Sequence, residues 1–412
     1  MTKFTPVWRI RIDGGVYTST TMAQMSITSG RTDIYSQPVA SYAHFQIIDL
    51  DSAAFPINVN DTVTVEIQDS TATFIPLWGG FVTDLSVEVV SSGSAGITTA
   101  AVITALGSLA RLPKALTLGV LAIDLEGVQI ETILTDLLIN NWSEVAPTLT
   151  WANYGPTTTW ANAENVGLGE IDAGQYELDG RSSSETDMYS LCAALATSGF
   201  GYLYENSSGQ ICYADTIHRE TYLGAHGYTV LSALDAYGSG IRTATRTGDV
   251  RNEISVVWKS GTETATDVTS ISSFGRLAQT VQTTLNHAVD ATDQADRYLN
   301  LRAYPRAQFD SITFPLSNPD ITDGDRDALL NVFMGQPIQI DDLPLNINSG
   351  QFQGFVEGWT FSSSYNSLDL TLMMSPIEFS LIALQWAQVS AAENWNTLSP
   401  TLTWDTALGV IA

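Results

Sequence analysis

Two stretches of this chain follow one pattern. Asn60-Asp61-Thr62-Val63-Thr64-Val65-Glu66-Ile67 leads to Trp78-Gly79-Gly80-Phe81-Val82-Thr83-Asp84-Leu85. Gly335-Gln336-Pro337-Ile338-Gln339-Ile340 leads to Phe352-Gln353-Gly354-Phe355-Val356-Glu357-Gly358-Trp359. Each is a turn, a short alternating strand, a polar loop, and a Gly-Phe-Val that opens a longer alternating strand. Val63 stands 17 residues before Gly80, and Ile338 stands 16 before Gly354. Each copy is a β-module with an apolar face to bury. A subunit carrying two of them presents twice as many positions around a ring as the ring has subunits, so a ring of three looks sixfold. Gly80 and Gly354 are expected at turns or bulges of matching strands, where a Cβ would be in the way. Phe81, Val82, Phe355 and Val356 are expected to pack the module cores or the contacts between modules.

The rest of the chain divides around these copies. Residues 6–110 alternate as strands and turns, with Val7 to Ile12 running into the hairpin signal Asp13-Gly14-Gly15. After Pro113 the period becomes helical: Val128, Ile130, Ile133, Leu134, Leu137 and Leu138 predict a helix over about 126–140. A second helix is expected from a Ser182/Glu185 capping pair to Gly199, with a hairpin through Asn206-Ser207-Ser208-Gly209 behind it. A third is expected near 290–303, stopped by Pro305. The fold class expected is mainly β with an α+β insertion: two related small β-barrels, a central α+β module and Trp-rich extended segments. The boundaries are a first β-block over 1–112, a small barrel or sandwich, a central module over 113–249, a second β-block over 250–378 interrupted at about 260–306, and a tail over 379–412. That both blocks are barrels, the second split by an insertion, is what the family resemblance described below implies.

A second repeat is independent of the first. Trp142, Trp151 and Trp160 are nine apart, as are Trp386, Trp395 and Trp404, and each triplet contains Trp-x4-Pro-Thr-Leu-Thr-Trp. A short unit at fixed spacing implies a small arch that buries one indole per repeat. The alternative is a row of exposed indoles that stack on sugar rings.

Composition narrows the function. Seventeen Lys and Arg face 44 Asp and Glu, a net charge of −27. Binding nucleic acid through its phosphates needs clustered cations, so this balance argues against it. An acidic wall past which nucleic acid slides is compatible with it, as is simple solubility. No apolar run reaches the ~20 residues of a membrane helix, and no basic-then-apolar leader is present. Cys192 and Cys212 are too few for a disulfide framework and are expected as buried thiols of a chain folded in a cytoplasm.

The catalytic inventory is poor. His44, His218, His226 and His287 form no zinc motif, and His218 and His226 are expected in a solvated loop. Asp320, Asp323, Asp325 and Asp327 fail the calcium-loop pattern and are read as capping a helix at Ala328-Leu329-Leu330. No enzyme, cofactor or metal is expected.

The run Ser273-Phe274-Gly275-Arg276, the helix over 290–303, the strand at Phe309, Gly335-Gln336-Pro337-Ile338, Gly354 to Gly358 and Leu368 to Pro376 resembles minor tail proteins of long-tailed bacteriophages. More broadly it resembles the baseplate hub, or tail-associated, family of the tail tip. Gly30-Arg31-Thr32-Asp33 through Phe45 and Asp49 to Gly80-Phe81-Val82 is similar to the first barrel of that family. The Trp-x4-Pro-Thr-Leu-Thr-Trp segments are similar to tail proteins of phages infecting actinobacteria. The resemblance implies a virion protein assembled in the host cytoplasm: a homotrimer whose two barrels per subunit ring a central channel. Such a ring docks on the tail tube or distal tail protein, with other minor tail or fibre proteins below and phage DNA passing through without specific binding. Rival readings are a carbohydrate-binding adhesin that uses the indoles, a hexameric distal tail protein, and a secreted glycoside hydrolase.

Overall fold

A computed structural model describes residues 4–13, 15–18, 22–34, 36–49, 56–93, 96–140, 168–238, 241, 243–309, 311–347, 350–364 and 367–380. Both tryptophan triplets lie outside these residues, and so does the tail over 381–412.

One twelve-stranded sheet organises the molecule. Its strands are β1 (Trp8–Ile12), β2 (Gly15–Thr18), β3 (Met22–Gly30), β4 (Tyr42–Asp49), β5 (Thr62–Gln68), β6 (Phe74–Gly93), β7 (Gly96–Leu106), β8 (Thr229–Ser232), β9 (Ile312–Pro315), β10 (Pro337–Asp341), β11 (Phe352–Ser364) and β12 (Ser367–Pro376). The order is β8-β10-β11-β3-β4-β7-β6-β5-β1-β2, and β12 pairs with both β11 and β9. Residues of period two build it: β5 alternates Val63, Val65 and Ile67 into the core with polar residues between them. One apolar cluster runs through both halves, from Ile10, Phe45 and Val82 to Phe314, Val356 and Leu372.

The two expected barrels are therefore corrected. Among the described residues neither half closes on itself. The edge of the first half, β3, is instead paired with β11 of the second, from Gly358 opposite Gly30 to Ser363 opposite Met25. Joining the two open sheets edge to edge pairs the β3 and β11 backbone groups that would otherwise lie along an open edge. The strand β3, which patterning had not marked, makes this joint.

A second correction concerns the start of the second half. Glu253–Trp258 alternates as expected but belongs to a separate three-stranded sheet, antiparallel to Gly261–Thr266 and parallel to Ala278–Gln282. Its hairpin turns between Trp258 and Gly261, so its own neighbours take both of its edges. Ile254 and Val256 pack in a distinct core with Ile130, Leu134, Leu195 and Tyr213. The residues expected to interrupt the second half are thus part of this sheet and its helices.

Helices fall close to expectation. α1 spans Glu126–Asn140. α2 is Met188–Ser198, shorter at its start than the Ser182/Glu185 pair implied, because Thr186 and Asp187 pair with Thr117 and Leu116. Asp187 caps it by accepting from the Ser190 amide, and Gly199 ends it. His218 and His226 bound a helix, α3 (His218–His226), and not a loop. α4 is Val268–Phe274 and α5 is Ala288–Arg302. α6, Asp323–Leu330, carries Asp323 and Asp325 in its first turn, with Thr322 as the capping side chain. Strands Tyr202–Glu205 and Ile211–Ala214 form the expected hairpin, and Cys192 and Cys212 are buried free thiols.

Candidate functional site: the matched strand pairs and their charged junction

The two Gly-Phe-Val segments sit in matching hydrogen-bond registers. Val63 faces Gly80 and Thr62 faces Phe81 across β5 and β6. Ile338 faces Gly354 and Pro337 faces Phe355 across β10 and β11. On the other edge, Phe81 faces Leu106 and Val82 faces Ala105, after which the register slips so that Asp84 faces Thr104. In the second copy Phe355 faces Ser375 and Val356 faces Met374, and the same slip brings Gly358 opposite Met373. Each copy thus has one unpaired residue directly after its valine, Thr83 in one and Glu357 in the other, which is the signature of a β-bulge.

The turns that enter the modules also correspond. Val82 donates to Asp61 O at 2.9 Å and accepts from the Asn60 amide at 2.7 Å. Val356 donates to Gln336 O at 3.0 Å and accepts from the Gly335 amide at 2.8 Å. Asn60 and Gly335 both take left-handed backbone, with φ of 81° and 87°. Asn and Gly are the residues that adopt it most readily.

The six strand residues singled out in the sequence fall within these paired segments. A Cβ on Gly80 would strike the Leu106 carbonyl oxygen and the Trp78 ring. On Gly354 it would strike the Ser375 carbonyl oxygen and the Phe352 ring. Each glycine thus admits a neighbouring strand and the aromatic two residues before it. Val82 and Val356 are fully buried in the shared core. Phe81 and Phe355 are buried too, each under a guanidinium: Arg111 lies 3.8 Å from the Phe81 ring and Arg219 lies 5.2 Å from the Phe355 ring.

At the second bulge the copies diverge chemically. Glu357 is 2% exposed and receives Arg31 Nε at 2.7 Å, Arg219 Nη1 at 2.7 Å, Arg219 Nη2 at 2.9 Å and the Ser375 hydroxyl at 2.6 Å. Arg31 follows the last residue of β3, and its amide donates to Glu357 O at 2.8 Å. Arg219 comes from α3, and its Nε reaches the Tyr202 hydroxyl at 3.4 Å. The junction therefore joins the first half, the second half and the central module through one carboxylate. Burial by itself would raise the Glu357 carboxyl, but the Arg219 and Arg31 guanidiniums and the hydrogen bonds outweigh it and hold it at about 2. Burying an ion pair is costly, and breaking one leaves an uncompensated charge, so such a cluster fixes how parts meet more than it adds stability.

A second buried carboxylate belongs to Glu205, at the end of the strand that begins with Tyr202. Glu205 accepts from the Ser41 amide at 2.8 Å, from the Ser41 hydroxyl and from the Leu109 amide at 2.5 Å. Burial pushes its carboxyl up to about 7 against those hydrogen bonds.

In the sequence Arg31 and Glu357 stand inside longer motifs and Arg219 in the solvated loop expected between His218 and His226, and no motif there singles out any of the three. The available signal was Glu357 itself, a charge directly behind the apolar Phe355-Val356 pair.

No family model matches the sequence, and no curated protein matches it significantly. Solved structures do match the fold. The 43 kDa tail protein of prophage MuSo2 from Shewanella oneidensis is 11% identical, with a TM-score of 0.53 over 91% of this chain and 99% of that one. A tail protein from Neisseria meningitidis MC58 is 10% identical, with a TM-score of 0.57 over 91% of this chain and 98% of that one. At this identity the likeness is one of fold, and the fold of this chain is that of phage and prophage tail proteins.

Proposed function

We propose that this chain is a structural virion protein, the trimeric hub of a bacteriophage tail tip. Two matched modules per subunit make six near-equivalent positions in a ring of three. That ring docks on a sixfold tail tube or distal tail protein above and passes threefold symmetry to tip or fibre proteins below. Phage DNA leaves through the central channel without specific binding, past an acidic wall. The observation that carries this reading is the shared register of Val63 with Gly80 and Ile338 with Gly354, with a bulge three residues after each glycine. The tail-protein fold supports the setting. The test is native mass measurement of the purified chain together with image averages of the tail tip. Three copies with six similar lobes are expected. Six copies would assign the distal tail position instead and overturn the hub reading.

A further inference from the structure

We propose a divalent transition-metal site of the zinc type, formed by Glu170, Asp172 and His218. Their donor atoms all lie within 4.8 Å of one another. The three residues come from two elements that the fold brings together. Glu170 lies in strand Leu168–Ile171 and Asp172 directly follows its last residue, next to a register shift in the strand's pairing. His218 opens α3.

Asp172 and His218 are already positioned. Asp172 Oδ2 accepts from the Asp215 amide at 3.0 Å and lies 2.8 Å from His218 Nδ1. The Asp172 amide donates to Tyr213 O at 3.1 Å, which ties the carboxylate's backbone to the neighbouring strand. Asp215 accepts from the Ile217 amide at 3.0 Å and from Gln175 Nε2 at 2.9 Å, which holds the turn leading into His218. Glu170 is exposed. Donors bound about 2.1 Å from a tetrahedral ion stand about 3.4 Å apart. The His218–Asp172 separation is a little shorter than this, and rotation of Glu170 brings in the third donor.

The site opens into a cavity of about 620 Å³ that Asp215, Tyr222 and His226 also line. Three protein donors would leave the fourth position facing that space. One imidazole with two carboxylates suits zinc and its first-row neighbours, whereas calcium and magnesium prefer oxygen alone. The sequence did not disclose the site, because residues 170, 172 and 218 match no short ligand motif.

The test is calorimetric titration of the full, chelator-treated chain with zinc chloride alone. One ion per chain is expected, with binding weakened by about a hundredfold in Asp172→Asn and in His218→Gln. Glu170→Gln, at an exposed position, guards against a folding artefact: with unchanged circular dichroism it should still weaken binding. Cobalt substitution should give visible absorption bands that His218→Gln removes. Absence of saturable binding, or binding that all three variants retain, would overturn the proposal and leave His218 and Asp172 as an ion pair only.

Discussion

Thr83 and Glu357 are the unpaired residues of the same bulge in two copies of one strand arrangement, one half-buried and neutral, the other buried and charged. Thr83 donates its hydroxyl to Thr104 O at 3.1 Å, within its own module. Glu357 reaches outward to Arg31 and Arg219, across 326 and 138 residues of sequence. Duplicated geometry has been given different work.

Substitution at the two bulges should therefore be asymmetric. Glu357→Gln leaves two buried guanidiniums without their carboxylate and is expected to cost about 3–5 kcal/mol. Thr83→Ala removes one hydroxyl hydrogen bond and should cost about 0.5–1.5 kcal/mol. Urea unfolding of the full chain measures both, and equal losses would contradict the assignment of Glu357 to the junction.

The Glu357 junction also sets an acid limit. Its folded carboxyl lies at about 2, below the ordinary value of 4.5. The unfolded chain therefore binds the proton first as pH falls. The contribution to stability is complete above about pH 4.5 and is lost progressively towards pH 2. Thermal unfolding between those values should show the loss in the native chain and a shallower slope in Glu357→Gln.

Glu205 works in the opposite direction. Its folded carboxyl lies at about 7, above the ordinary 4.5, so the folded state holds the proton more tightly. Its contribution to stability is complete below about pH 4.5, declines as pH rises to 7, and stays level beyond. Stability measured across that window should decline less in Glu205→Gln than in the native chain. Parallel profiles would show that Glu205 does not titrate there.

Gly80→Ala and Gly354→Ala should behave alike, because in each a methyl group meets a carbonyl oxygen of the adjoining strand and an aromatic ring. A loss of about 1–3 kcal/mol is expected for each from overpacking. Differential scanning calorimetry reads it as a lowered Tm. A neutral result at only one of the two would break the equivalence of the modules.

Sequence alone determined the local elements: the strand pairs around Gly80 and Gly354, α1, α5 to within about two residues and the hairpin at 206–209. These follow from period-two or helical spacing and from turn residues, all of which act over a few neighbouring positions. Only the tertiary structure decided which strand edges meet. The pairing of β3 with β11 replaces two closed barrels by one continuous sheet, and Glu253–Trp258 joins a different sheet, because alternation marks a strand without naming its partner. The Arg31–Glu357–Arg219 junction was hidden for the same reason. Burial of a charge becomes affordable only where distant residues converge on it, and a linear pattern carries no record of that convergence.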